Sequence, residues 1–253
     1  MKTQLTLFFA AIAFSLLSQT KTIHVFVALC DNVNQGIVPV PEKIGNGQDP
    51  SRNLYWGAGY GVKNFFKVKT KDWTFIKALE TTNDTILERL LFKHKTENAF
   101  LLADAYDGEF IKSCTIDMLK ASNGQVAVNI PYENKTLEFG GCSNLIAYVG
   151  HDGLMEFEVD INYEIKPKIS KDLIILACSS QYFFSEEVEK SGAHPILWTT
   201  NLMAPEAYTL KAAIDGWLVG EEPVEIWERA AKAYNTYQKC GINGARNLFT
   251  FGF

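Results

Sequence analysis

The chain lacks most of the motifs from which an activity is usually read. It has no G-x-S-x-G elbow, no P-loop, no G-x-G-x-x-G after an apolar strand and no H-E-x-x-H helix, which removes the common serine-hydrolase, nucleotide-binding and zinc-peptidase signatures. The Gly-rich stretch Trp56-Gly-Ala-Gly-Tyr-Gly61 follows a polar loop and reads as a turn entering a helix. Long basic clusters are also absent, and 24 Lys and Arg are outnumbered by 29 Asp and Glu, a net charge of −5. Without a cationic face there is no footprint for phosphates, so nucleic acid is not an expected partner. Proline (8) and glycine (18) occur without a period in 253 residues, which excludes collagen-like and low-complexity organisation. Cysteine is scarce: Cys30, Cys114, Cys142, Cys178 and Cys240, none in a C-x-x-C pair. That excludes a disulfide scaffold and a zinc ribbon, and the odd count leaves at least one thiol free in a monomer. No cofactor is expected, and no metal, since no short-range ligand pair is present.

What is there describes a globular domain. Hydrophobic residues make up 47% of the chain, enough for one large core. Residues 1–20 read as a signal peptide, with Lys2 ahead of the apolar run Leu5–Leu17. That run is short for a bilayer span. The expectation is export, to the periplasm or beyond, with residues 21–253 as a single α/β domain and no stable membrane span after cleavage.

Short apolar runs alternate with helix-like segments. Ile23–Leu29, Ala99–Ala103, Leu145–Val149, Leu173–Ala177 and Pro195–Thr200 are nearly continuous in hydrophobicity, as strands covered on both faces require. Helical spacing predicts Asn53–Val68, Asp84–Lys93, Glu109–Ala121, Gln181–Lys190, Pro205–Gly216 and Pro223–Lys239. The alternation implies a three-layer α/β/α sandwich around a mostly parallel, doubly wound sheet. A long polar loop, Asp31–Arg52, leaves the first strand, where binding loops commonly sit.

In such a sheet, ligands bind beyond the carboxyl ends of the strands. One strand runs into His151-Asp152-Gly153 and another into Cys178-Ser179-Ser180. Side by side, they would supply a thiol nucleophile and its proton-transfer partner. Ser179 and Ser180 are candidate caps for the following helix, whose N-terminus would give Cys178 thiolate character. Taken one at a time, a strand-end Cys is commonly a small buried hydrophobe and a His before a turn a loop residue. Cys30, ending the first strand, leaves two rivals open: a soft-metal site with Cys178 and His151, or a Cys30–Cys178 disulfide.

The stretches LIAYVGHDG (Leu145–Gly153) and LIILACSS (Leu173–Ser180) resemble the caspase-like cysteine peptidases, the group of caspases, legumains, gingipains and clostripain. The resemblance implies a caspase-like sheet, Cys178 as nucleophile and His151 as acid–base residue. It further implies an oxyanion hole from the backbone N–H groups of Cys178 and Gly153, and a peptide or protein substrate. Two features depart from the pattern. Asp152 stands between the His and the Gly, and Leu154–Ile169 alternates polar and apolar residues like a hairpin or extended excursion where a crossover helix belongs. Glu156, Glu158 and Asp160 would form a solvated stripe along it. The alternative function is thus a catalytically inactive domain of the same fold that binds a peptide or protein partner. Candidate substrate-binding residues at the strand-end edge are Asp31, Asp104, Asp107, Trp198, Thr199, Thr200 and Glu206. A carboxylate buried in the pocket would favour a basic residue before the scissile bond. The cluster Lys166, Lys168 and Lys171 has no assigned place, and the oligomeric state is open.

Overall fold

Lys21–Ala28 forms the strand (β1) around which the sheet is built, and seven of its eight residues are buried. The structure, a computed structural model, describes residues 19–164 and 170–253. Most of the expected signal segment and two of the clustered lysines, Lys166 and Lys168, lie outside the described residues. After β1 come a short helix α1 (Val62–Asn64) continued by one π-helical stretch (Phe65–Lys69), then β2 (Trp73–Leu79), β3 (Ile86–His94) and β4 (Ala99–Tyr106). Helix α2 (Ile111–Ser122) leads to a hairpin of β5 (Ala127–Tyr132) and β6 (Lys135–Gly140), then β7 (Leu145–Val149). The chain ends with β8 (Asp172–Leu176), α3 (Ser180–Ser191), β9 (His194–Thr199), α4 (Ala207–Leu218), α5 (Pro223–Gln238), α6 (Ile242–Leu248) and β10 (Phe249–Thr250).

Eight strands pair in the order β10-β9-β8-β7-β1-β4-β3-β2. β1 lies parallel to both β4 and β7, and β7, β8 and β9 continue the parallel block. β2, β3 and β10 join antiparallel at the two edges. Because strand side chains alternate between faces, Val25 and Val27 pack with Leu210 and Ile214 of α4 and Ile226 of α5. Phe26 and Ala28 enter a second core with Met118 of α2 and Phe184 and Val188 of α3. Helices therefore cover both faces of a large, mostly parallel sheet, an architecture compatible with an α/β sandwich. The β5–β6 hairpin seals a third, smaller core, in which Ile130, Leu137 and Phe139 meet Leu91, Phe100 and Leu102.

Two expected helices are corrected. Asp84–Lys93 is not helical; Ile86–His94 is strand β3, between β2 and β4. Leu90 and Phe92 enter one core and Leu91 another, so pairing with β4 overrides a pattern that also fits a helix. Of Asn53–Val68 only the part from Val62 onward is helical. At Gly57 a Cβ would lie 2.2 Å from the Ser51 carbonyl and at Gly61 2.5 Å from Trp56 backbone, so the glycines fold this stretch back on itself as turns. Of the expected excursion Leu154–Ile169, Leu154 and Met155 belong to a 3-10 turn that ends at Glu156, and 165–169 lie outside the described residues. Residues 157–164 join neither helix nor sheet, with Phe157, Val159, Ile161 and Tyr163 partly buried against the second core. At on the order of 1 kcal/mol for each half-buried apolar side chain, these contacts hold the segment without a ladder. Glu158 and Asp160 face solvent, as the alternation predicts.

Candidate functional site

Parallel pairing of β1 with β7 and of β7 with β8 brings their carboxyl ends to one edge, on either side of the chain's switch from β4 back past β1. His151 follows β7 there and Cys178 follows β8. Both line one cleft of about 520 Å³, whose walls include Ile37, Val40, Leu54 and Met203. Those four side chains also pack on the first core, so the walls extend the hydrophobic interior. A larger hollow, about 950 Å³, is lined by Ser143, Lys171 and Trp217 beside the amino ends of the strands. It contains neither Cys178 nor His151, which both line the smaller cleft.

The thiol sits on a tight elbow. Ser179 adopts a left-handed conformation (φ 48°, ψ 33°), which costs a non-glycine residue roughly 1–2 kcal/mol and must be held by its surroundings. The Ser179 N–H donates to the Asn201 carbonyl at 3.0 Å. Ser180 Oγ donates to the Ile175 carbonyl at 3.1 Å and meets Thr199 Oγ1 at 3.1 Å, while the Thr199 N–H donates to Ser180 Oγ at 2.9 Å. The two serines thus brace the elbow against β8 and β9. They do not cap α3 through their side chains, contrary to expectation. Nor does the helix end dominate the thiol: burial pushes Cys178 above the ordinary thiol value, the Met203 backbone opposes this, and the Asp152 charge adds to it. Met203 N–H donates to Cys178 Sγ at 3.4 Å. No hydrogen bond joins Cys178 to His151 among the described residues.

The imidazole is oriented from its far side. Glu156 Oε1 lies 2.5 Å from His151 Nε2 and accepts from the Gly36 N–H at 2.6 Å, while Tyr148 donates its hydroxyl to the His151 carbonyl at 2.8 Å. A carboxylate on Nε2 keeps the proton on that nitrogen and leaves Nδ1 as the basic one. Glu156 is the residue that sequence reasoning missed. Alternation assigned it to a solvated stripe, and it is exposed as expected, but its five-residue separation from His151 becomes contact because Gly153–Met155 turns as a 3-10 helix. Asp152 makes that turn. Its Oδ1 accepts from the Leu154 N–H at 3.0 Å, and its Oδ2 is buried without a partner. Burial, against the backbone N–H groups of Leu154 and Met155, pushes its carboxyl up to about 7. Gly153 lies beneath Phe157, whose ring a Cβ would meet at 2.4 Å, and it is not among the residues lining the cleft.

The expected binding residues separate into two groups. Glu206 lines the cleft beside Gln238. Asp31 is buried in its own loop, where hydrogen bonds from Asn34, Gln48 and the Val33 and Asn34 N–H groups outweigh burial and hold its carboxyl below the usual value. That loop contributes apolar Ile37, Val38 and Val40 to the cleft rather than an acid. Asp104 belongs elsewhere: fully buried, it is clamped by Arg89 at 2.7 and 2.6 Å and by His24 at 2.9 Å. His24 Nδ1 accepts from the Gly140 N–H, so Nε2 donates to Asp104 and this group ties β1, β3, β4 and β6 together. Trp198 is fully buried in the second core, and Thr199 is spent on the elbow. Thr200 donates to the Asn247 carbonyl, and Asp107 caps the turn at Glu109.

Cys30 is buried beneath the cleft residue Tyr55, and burial pushes its thiol up to about 11, the Tyr55 hydroxyl opposing. All five cysteines are free, and no group of three or more His, Cys, Asp or Glu among the described residues could hold a metal ion. No described helix is long and apolar enough to cross a membrane. Compared with protein-family models, with curated proteins and with solved structures, the chain finds no match.

Proposed function

We propose that the protein is an exported cysteine hydrolase of the caspase-like type that cleaves peptide bonds through Cys178 and His151. The observation that carries the reading is the convergence of these two side chains, from successive parallel strands 27 positions apart, on one cleft with apolar walls. In the proposed reaction Cys178 Sγ attacks the peptide carbonyl and its proton passes to His151 Nδ1. The protonated imidazole then delivers that proton to the departing amine, leaving a thioester that water hydrolyses. Glu156 favours this cycle by holding the Nε2 proton and stabilising the imidazolium. The raised thiol supports a nucleophile that is protonated at rest and loses its proton during attack. The caspase-like assignment rests on the strand-end motifs, and export on residues 1–20.

One observation favours a second reading. A half-buried thiol whose burial disfavours the thiolate, without a hydrogen bond to the imidazole, is also what a binding domain of this fold would retain. Peptide-library cleavage by the wild-type protein, with Cys178→Ala and His151→Ala as controls, separates the two. The hydrolase reading expects cleavage that each substitution abolishes. Cleavage surviving in Cys178→Ala overturns it, and saturable peptide binding with no turnover supports the binding domain.

A further inference from the structure

Among the described residues Glu206 is the only Asp or Glu lining the cleft, and no Lys or Arg lines it. It occupies the N-cap of α4 yet makes no side-chain capping bond, so its carboxylate does not serve its own helix. Instead Oε2 accepts from the Tyr208 hydroxyl at 2.9 Å and from Gln238 Nε2 at 3.2 Å. Gln238 Nε2 also reaches the Tyr208 oxygen at 2.6 Å, and Tyr208 is stacked on Tyr237 at 4.1 Å with the rings 6° apart. These contacts, drawn from α4 and α5, fix one oxygen of the carboxylate. Oε1 has no partner among the described residues. The result is a half-buried carboxylate, fixed through one oxygen in a cleft whose walls include the apolar side chains of Ile37, Val40, Leu54 and Met203 as well as Tyr55, His151 and Cys178.

We propose that this cleft takes the lysine or arginine side chain of a peptide, its aliphatic stem against Ile37, Val40, Leu54 and Met203 and its cationic head at Glu206. The choice follows from what each class of side chain would leave behind. An acidic side chain would meet a like charge at Glu206, with no Lys or Arg among the described lining residues to offset it. An apolar one would fit the apolar walls but strip water from Glu206 Oε1, the oxygen that Tyr208 and Gln238 leave open, a cost that sites with buried polar groups impose on ligands lacking the partner. Only a long cation satisfies both ends, burying its methylenes while its head forms a charge-assisted hydrogen bond. Burial raises the Glu206 carboxyl, and a bound cation would oppose that shift.

The inference deepens the hydrolase reading, yet its test does not depend on turnover. Seven-residue peptides identical except for Lys, Arg, norleucine or Asp at the central position are titrated by calorimetry into the Cys178→Ala protein. Lys and Arg are expected to bind at least about tenfold tighter than norleucine, one charge-assisted hydrogen bond's worth, with Asp the weakest. Glu206→Gln in the same background brings the Lys-to-norleucine ratio close to one while norleucine binding persists. Glu206→Asp, with shorter reach, falls between. Equal binding of Lys and norleucine, a ratio unchanged by Glu206→Gln, or no binding of any peptide overturns the proposal. With Cys178 intact, selective binding without cleavage keeps this site and overturns the hydrolase. Cleavage indifferent to the central residue does the reverse.

Discussion

Replacing Asp152 by Asn is expected to change the pH dependence of stability in a calculable way. In the unfolded chain this carboxyl titrates near 3.8, whereas in the fold it is held protonated up to about 7. Below about pH 4 both states carry the proton and no penalty exists. Between about pH 4 and 7 the unfolded chain releases a proton that the folded protein keeps, so stability falls by about 1.4 kcal/mol per pH unit and then levels off. Three units make about 4 kcal/mol, an upper figure because local relaxation softens such sites. Asn reproduces the protonated acid: its Oδ1 still accepts from Leu154, and the second position, already without a partner, stays so. Urea unfolding of wild type and Asp152→Asn from pH 4 to 8 should give curves that coincide at the acid end and diverge by several kcal/mol at pH 8, the variant being more stable. Because the Asp152 charge also raises Cys178, the alkylation rate of that thiol should rise at lower pH in the variant. Parallel stability curves across the range would refute both the buried state of this carboxyl and its link to the thiol.

Three further outcomes follow from the same geometry. Glu156→Gln should lower kcat about tenfold or more with little change in KM and shift the acid limb of the rate profile, with partial recovery in Glu156→Asp, since it alters the base and not the cleft; steady-state kinetics against pH reads this. Arg89→Met strands the Asp104 carboxylate in the core and is expected to cost about 3–5 kcal/mol by chemical unfolding, much of which Arg89→Met with Asp104→Asn recovers. Ser180→Ala removes the brace between the Ile175 carbonyl and Thr199 and should cost about 1–3 kcal/mol, with a loss of thiol reactivity as the left-handed Ser179 relaxes.

The parallel block was legible because its strands are buried on both faces and therefore read as unbroken apolar runs. The runs at Leu145–Val149 and Leu173–Ala177 also located His151 and Cys178. The antiparallel edge was hidden for the opposite reason. In Ile86–His94 the polar residues Glu88 and Arg89 have partners that are distant in sequence: Trp56 and Lys63 for one, Asp104 for the other. Such partners cannot be seen in a local window, so a strand resembled one face of a helix. The same blindness misplaced Asp104, whose position on a core strand gave no sign that His24 and Arg89 would enclose it. Glu206 was found by its place after the β9 strand, but the Tyr208–Gln238 clamp depends on a residue 32 positions later.

The turn at Asp152 and the course of the chain after it have one physical origin. Inserting Asp152 between His151 and Gly153 supplies a side chain that caps a 3-10 turn. That turn reverses the chain sharply enough for Glu156 to reach both His151 and the Gly36 N–H of the loop after β1. A chain leaving the turn at Phe157 is already lying against the second core, with alternate side chains facing the sheet. It can continue only as an extended strip, because a helix begun there would lift Val159 and Ile161 out of contact and forfeit on the order of 1 kcal/mol apiece. The acid beside the histidine and the strip that follows thus belong together, since the same turn that sets the strip against the core places a carboxylate behind the imidazole. On this account deleting Asp152, which sets Gly153 directly after His151, would remove the cap of the turn and detach Glu156 from the imidazole.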